Sequence, residues 1–276
     1  MTRLFHVSDV HFGREDVAAI AWFDALVAAE APDAVVMTGD LTMRARRREF
    51  AAGLAWLRGL ERPVTVEVGN HDLPYFNPIA RMFHPYRRFE DVERLVERPL
   101  DLPGVSIVPL KTTARAQWRL NWSKGYVSRH ALAETLALVE AVPKDRLVFV
   151  ACHHPLVEPH TRMSAQTHRG AEAFAALAAV GVDAVLTGHV HDPFDIAHPV
   201  NGRTVRMIGA GTLSERIRTS PPAINEIRID GDMFDVVCRT MDAAPDRILT
   251  TRPPHRNDPV TSEAAAEAPT KTRGAA

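Results

Sequence analysis

Five short polar motifs carry the side chains of this sequence that could do chemistry: Asp9-x-His11, Gly39-Asp40, Gly69-Asn70-His71-Asp72, His153-His154-Pro155 and Gly188-His189-x-His191. They offer carboxylates, an amide carbonyl and several imidazoles but no thiolate, a donor set that suits Mn, Fe, Zn or Co ions better than calcium or magnesium. Asp9, His11, Asp40, Asn70, His189, His191 and one residue of the His153-His154 pair exceed what one ion takes while keeping a position open for water. Two divalent ions are therefore expected, with a carboxylate joining them. Such a pair, about 3.5 to 4 Å apart, clamps the attacking and leaving oxygens of an in-line displacement at phosphorus. The charges agree, because two divalent cations against Asp9 and Asp40 leave about two positive charges, and a bridging hydroxide leaves about one. A phosphodiester monoanion would neutralise it.

Each motif sits at or just after the end of a run that reads as a buried strand. The strand-like runs are Leu4 to Val7, Ala34 to Met37, Val64 to Val68, Val105 to Leu110, Leu147 to Ala151 and Ala184 to Thr187. Between them, apolar residues recur at helical spacing: Val17, Ile20, Phe23 and Val27; Phe50, Leu54 and Leu57; Leu132, Leu136 and Val139; Phe174, Leu177 and Ala178. This alternation predicts an α/β sheet covered by helices, in which residues at the carboxyl ends of strands converge on one rim. Past Pro193 the pattern changes. Asn201-Gly202 and Asp230-Gly231 are turn dipeptides beside strand-like runs such as Thr204 to Ile208 and Met233 to Val237, so the chain is expected to close with antiparallel hairpins.

The chain has 276 residues, of which 46% are hydrophobic, enough for one sizeable core. One domain is expected over residues 1–251. From Arg252 on, Pro253-Pro254 and then Ala, Glu, Thr and Lys without apolar periodicity predict a disordered tail, 252–276. Lys and Arg number 33 against 34 Asp and Glu, so no overall charge argues for nucleic acid or a membrane surface as partner. Cys152 and Cys238 are too few for a disulfide framework or a thiolate metal site. His6 and Asp9 interrupt the N-terminal apolar run before it reaches the length of a signal-peptide core, and no stretch approaches a membrane span. A cytoplasmic location is expected.

In an extended chain neighbours alternate faces, so only one of His153 and His154 can face the site, whereas His189 and His191 both can. The run Arg44, Arg46, Arg47, Arg48 reads as a solvated face at a helix start, with Phe50, Leu54 and Leu57 inward. After the GNHD turn, Ile79, Met82, Phe83 and Tyr86 fall at helical spacing and predict a packed helix. The competing reading makes Tyr75, Phe76 and their neighbours, with Trp118 and Trp122, an aromatic cap on which a base could stack.

Through HVSDVHFG (His6 to Gly13), TGDLT (Thr38 to Thr42), VGNHD (Val68 to Asp72), CHHP (Cys152 to Pro155) and TGHVH (Thr187 to His191), the sequence resembles the calcineurin-like metallophosphoesterase superfamily over roughly residues 3 to 240. The resemblance implies a four-layer αββα sandwich and a metal-dependent phosphoric ester hydrolase. It implies that Asp9, His11 and His191 hold one metal, that Asn70, His153 and His189 hold the other, and that Asp40 bridges them. It also selects His153 over His154. His71 would then face the leaving group and stabilise or protonate the departing oxygen, with Asp72 hydrogen-bonded to its other ring nitrogen to fix the tautomer. GDLT followed by a basic helix is most similar to the class III cyclic-nucleotide phosphodiesterase branch. The implied reaction is hydrolysis of a small-molecule phosphodiester, a cyclic nucleotide, by in-line attack of a metal-bridging hydroxide, in a protein that is a homodimer. The same metal site would serve a phosphomonoesterase, a nuclease or a glycerophospho- or lipid-headgroup diesterase. A non-catalytic interaction scaffold is disfavoured by the intact ligand set and His71.

Overall fold

Strand β1 (Thr2–Val7) is buried on both faces, and its alternation divides two cores: Phe5 and Val7 join one apolar cluster while Leu4 joins another. The computed structural model describes residues 1–96, 100–114, 123–200 and 202–242, so the expected tail at 252–276, Trp118 and Trp122 lie outside the described residues. β1 is the middle strand of a mixed sheet with β2 (Ala34–Met37), β3 (Val64–Val66), β9 (Ala223–Asp230) and β10 (Met233–Thr240), in the order β10-β9-β1-β2-β3. β1, β2 and β3 are parallel, and β9 and β10 are antiparallel.

The second sheet contains β4 (Val105–Pro109), β5 (Leu147–Ala151), β6 (Ala184–Thr187), β7 (Phe194–Val200) and β8 (Arg203–Gly209), in the order β4-β5-β6-β8-β7. Only its edge strand β7 is antiparallel. Leu4, Val36 and Ile227 of the first sheet pack on Phe149, Leu186 and Ile208 of the second, forming the inner core. Helices α1 (Val17–Glu30), α2 (Arg47–Gly59) and α4 (Arg87–Val96) cover the outer face of the first sheet through Phe23, Leu57 and Phe89. Helices α5 (Arg129–Glu140) and α6 (Gly170–Val180) cover the second through Leu132, Val139 and Leu177. The expected four-layer αββα sandwich, with mixed sheets and C-terminal antiparallel hairpins, is the architecture observed. The last hairpin turns on Gly231–Asp232, one residue beyond the expected dipeptide, with Gly231 at φ +61°.

The helix expected after the GNHD turn forms only in part, and its apolar face is not packed. Helix α3 (Pro78–Phe83) is short and stops because His84 precedes Pro85, a position that disfavours the helical region. Its buried residue is Arg81, while Ile79, Met82 and Phe83 are 72%, 45% and 69% exposed. The chain restarts as α4, a helix rich in charged residues whose buried residues are Phe89 and Val92. Among the described residues, no helix is long and apolar enough to cross a membrane.

Candidate metal centre

The carboxyl ends of the parallel strands bring all five motifs to one rim. Asp9 and His11 follow β1, Asp40 follows β2, Asn70–Asp72 form a 3-10 turn after β3, His153 follows β5, and His189 and His191 follow β6. Backbone bonds join the loops: Asp9 N–H donates to Gly39 O at 3.0 Å, His11 N–H to Asp40 O at 3.0 Å and Gly188 N–H to His153 O at 2.9 Å. The two sheets meet where His189 N–H donates to Asp9 Oδ2 at 2.8 Å. Asp9, His11, Asp40, His189 and His191 all have positive φ, between 52° and 71°. Non-glycine residues enter that region at a cost of about 1–3 kcal/mol each, and persist there only where their surroundings hold them. Close approach also demands glycine: a Cβ on Gly69 would stand 2.1 Å from Asp40 Oδ1, and one on Gly188 would stand 1.8 Å from Ser8 Oγ.

The donor atoms are spaced as ligands are. Asp9 Oδ1 is 3.1 Å from His191 Nε2 and 3.5 Å from His11 Nε2, and the two Nε2 atoms are 3.2 Å apart. Donors on an ion with bonds of about 2.0–2.1 Å lie about 2.9–3.4 Å from one another. Asp40 Oδ2 lies 3.3 Å from His153 Nε2 and 3.8 Å from His11 Nε2, between the two histidine sets. Asp9 Oδ1, Asn70 Oδ1 and His153 Nε2 are buried without a hydrogen-bond partner. A buried polar atom left so is costly unless something else satisfies it. Groups of candidate ligands within 4.8 Å of one another are Asp9, His11 and His191; Asp9, Asp40 and His153; His11, Asp40 and His71; and His153, His154 and His189. The donor set and its unpaired atoms fit divalent metal ions.

The electrostatics point the same way. Burial works to raise Asp40, but the His153 and His71 imidazoles outweigh it and hold the carboxyl below the usual range. Burial would likewise raise Asp9, and His191 and His11 hold it low. Burial alone would lower His153, yet the Asp40 and Asp9 carboxylates raise it to about 9. Burial, with the His153 charge adding to it, takes His189 down to about 3. Without metal, a proton on His153 thus offsets part of the charge of the two buried carboxylates, and a bound cation would displace it.

Three local details differ from the sequence expectation. His189 and His191 are not in an extended segment; both sit in the left-handed region, and Val190 N–H donates to Gly188 O at 2.8 Å. Strand parity does not separate His153 from His154 either, because β5 ends at Ala151 and both rings are buried, 4.7 Å apart by centroid. Hydrogen bonding separates them: His154 Nδ1 is 2.9 Å from Thr112 Oγ1 and Nε2 3.0 Å from Ser123 O, so both its nitrogens are engaged. Asp72 does not touch the His71 ring. Its carboxylate accepts from Leu41 N–H, Thr42 N–H, Thr42 Oγ1–H and Gly69 N–H, bracing the turn against the Asp40 loop. Burial and the nearby Asp40 charge push Asp72 up to about 7, against those four donors. The partner of His71 Nδ1 is Met43 O at 2.7 Å.

Sequence reasoning missed Arg216. Its Nη1 lies 3.0 Å from His71 Nε2 and 3.3 Å from His11 Nε2, and its carbonyl oxygen is 2.7 Å from His191 Nδ1. The signal was present in the polar segment Gly211-Thr212-Leu213-Ser214-Glu215-Arg216, which follows a strand as the other motifs do. Reading Thr204 to Ile208 as part of a hairpin hid it, because β8 also runs parallel to β6 and ends at the same rim. Arg44, Arg46, Arg47 and Arg48 are exposed, as expected, with the Arg44 and Arg46 guanidinium carbons 5.7 and 6.0 Å from the Phe76 ring centre.

Solved structures share this fold at low identity. A dimetal phosphatase from Danio rerio superposes with a TM-score of 0.64 at 14% identity, over 87% of this chain and 96% of its own. Purple acid phosphatase PPD1 from yellow lupin (Lupinus luteus) seeds gives 0.66 at 12% identity, over 89% of this chain and 52% of its own. GAP50, the anchor in the inner membrane complex of Plasmodium, gives 0.54 at 9% identity over 88% of this chain and 86% of its own, so the likeness carries fold and not activity. No curated protein matches the chain. The sequence profile described as calcineurin-like phosphoesterase matches residues 2–193, the stretch that holds every motif above, and the chain belongs to that family.

Proposed function

We propose that the chain is a dinuclear-metal phosphodiesterase, with Asp9, His11 and His191 holding one ion, Asn70, His153 and His189 the other, and Asp40 between them. The observation that carries this reading is Asp40 Oδ2, set 3.3 Å from His153 Nε2 and 3.8 Å from His11 Nε2. Ions held there supply activation of a water nucleophile and neutralisation of charge on the phosphoryl group. The protein's own residues do the rest. Met43 O accepts from His71 Nδ1–H, which leaves Nε2 turned toward the rim, beside the His11 ring. His71 then stabilises or protonates the departing oxygen, and Asp72 keeps it in place through the turn rather than through its ring.

A diester is favoured over a monoester by the resemblance of the TGDLT stretch and the basic helix after it to the class III phosphodiesterase branch. A cyclic nucleotide is the favoured diester. Tyr75 and Phe76, in edge-to-face contact at 5.0 Å and exposed just after the GNHD turn, provide a surface for a base, and Arg44 and Arg46 beside Phe76 add positive charge. A second reading, a lipid-headgroup diesterase, is favoured by the exposure of Ile79, Met82 and Phe83 on the same segment. We further propose a cytoplasmic location, in keeping with a chain of only two cysteines, both buried, and a second copy of the chain as partner.

A Mn-supplemented panel of 3',5'-cyclic nucleotides, 2',3'-cyclic nucleotides, glycerophosphodiesters, phosphomonoesters and single-stranded nucleic acid tests the assignment. Highest kcat/KM on a cyclic nucleotide is expected, and highest kcat/KM on glycerophosphodiesters would favour the second reading. A preference for monoesters would overturn both.

A further inference from the structure

We propose that Arg216 is the phosphoryl-binding residue of the site, its guanidinium donating to a non-bridging phosphate oxygen from the side of His71. The inference rests on the phosphodiesterase reading above and adds a substrate-contacting residue to it. Arg216 Nη1 is 3.0 Å from His71 Nε2, 3.3 Å from His11 Nε2 and 3.9 Å from Met43 Sδ. Those partners are two ring nitrogens and a thioether, so among the described residues no carboxylate bonds the guanidinium directly. His11 Nε2 has one lone pair, and it cannot serve both a metal ion and Arg216. A metal ion on His11 Nε2 would take that acceptor from Arg216 and leave a guanidinium N–H for a phosphoryl oxygen. Arginine presents five donors in a planar fork that matches phosphate.

The backbone around Arg216 is built to hold it there. Thr212 Oγ1 donates to Asp9 O at 2.6 Å, and Ser214 N–H donates to Thr212 Oγ1 at 3.1 Å. Glu215 N–H donates to Arg14 O at 3.0 Å, and Arg216 N–H donates to Ser214 Oγ at 3.3 Å. On the other side of the same residue, Arg216 O accepts from His191 Nδ1–H at 2.7 Å, fixing the imidazole so that Nε2 faces Asp9. The loop that aims the arginine is therefore bonded to the loops of two proposed ligands. The neighbouring Arg218 is exposed and serves as the control for general positive charge.

The test compares wild type, Arg216→Met, Arg216→Lys and Arg218→Met, all loaded with Mn. Bound metal is measured by elemental analysis, inorganic orthophosphate affinity by calorimetry, and kcat and KM on a phosphodiester by initial rates. Arg216→Met is expected to keep its metal and to bind orthophosphate about ten- to a hundredfold more weakly, as loss of a charge-assisted hydrogen bond predicts, with a matching loss in kcat/KM. Arg216→Lys should recover part of the loss, and Arg218→Met should match wild type. Orthophosphate binding unchanged in Arg216→Met would overturn the proposal. So would metal loss that accounts for the weaker binding, or an equal weakening in Arg218→Met. A wild-type protein that binds orthophosphate through Arg216 yet hydrolyses no diester would refute the phosphodiesterase reading and leave the anion site standing.

Discussion

The backbone N–H of His71 donates to Asp40 Oδ1 at 2.8 Å, so one oxygen of that carboxylate is tied to the GNHD turn while the other faces His153 and His11. The residue proposed to join the two ions and the residue proposed to meet the leaving group thus share one direct bond. Displacing either strand-end loop would move both.

Asp40→Asn keeps the shape but removes the charge at the junction of the two ligand sets. Both ions should bind more weakly and activity should fall by at least about a hundredfold, since even outer-shell changes at metal sites cost about 10–100-fold. Elemental analysis of the Mn-loaded variant checks this, and a full metal complement would count against Asp40 as the shared ligand.

His71→Ala should behave in the opposite way and retain its metal. Its kcat is expected to drop by about a hundredfold or more, with the deficit larger for alkyl leaving groups than for p-nitrophenol. Full activity on a cyclic nucleotide would contradict the role given to His71.

Asp72→Asn tests the bracing role. The amide presents one acceptor in place of two oxygens to four donors, and leaves at least one of them unpaired. A loss of about 1–3 kcal/mol in unfolding free energy is expected from such a buried group, read by denaturant titration.

The site was more legible in the sequence than the loops that carry it. Gly188-His189-x-His191 and the other motifs stand out because imidazoles and carboxylates are poor choices for buried strand ends unless something satisfies them, so residue type alone marked them. Which nitrogen or oxygen faces which partner depends on φ values above 50° at His189 and Asp9, and no period-2 or helical pattern encodes those. Arg216 was missed for a similar reason: an arginine after a strand reads as surface until the strand is seen to run parallel to β6. Helix α4 escaped notice because its two buried residues, Phe89 and Val92, lie among charges. The segment from Ile79 to Phe83 misled in the other direction, since helical spacing was present and the face it marks is exposed.

His6 offers a pH test outside the proposed ligand set. Burial lowers its pKa to about 3, against the pull of Asp9, and both ring nitrogens are engaged, Nε2 2.9 Å from Thr38 Oγ1 and Nδ1 3.3 Å from Asn225 Nδ2. The folded value lies below the unfolded 6.5, so the unfolded chain binds the extra proton first. Its contribution is present above pH 6.5 and is lost as pH falls from there toward 3, at up to about 1.4 kcal/mol per pH unit. His6→Gln should lose less stability across that window than wild type in denaturant titrations at each pH. Parallel curves would show that His6 does not carry the effect.

The most direct measurement of the central claim is anomalous diffraction from crystals of the Mn-loaded protein. The account predicts two peaks about 3.5 to 4 Å apart, with Asp40 in contact with both, Asp9, His11 and His191 around one, and Asn70, His153 and His189 around the other. One peak, or a pair that leaves Asp40 bound to neither or only one, would contradict it.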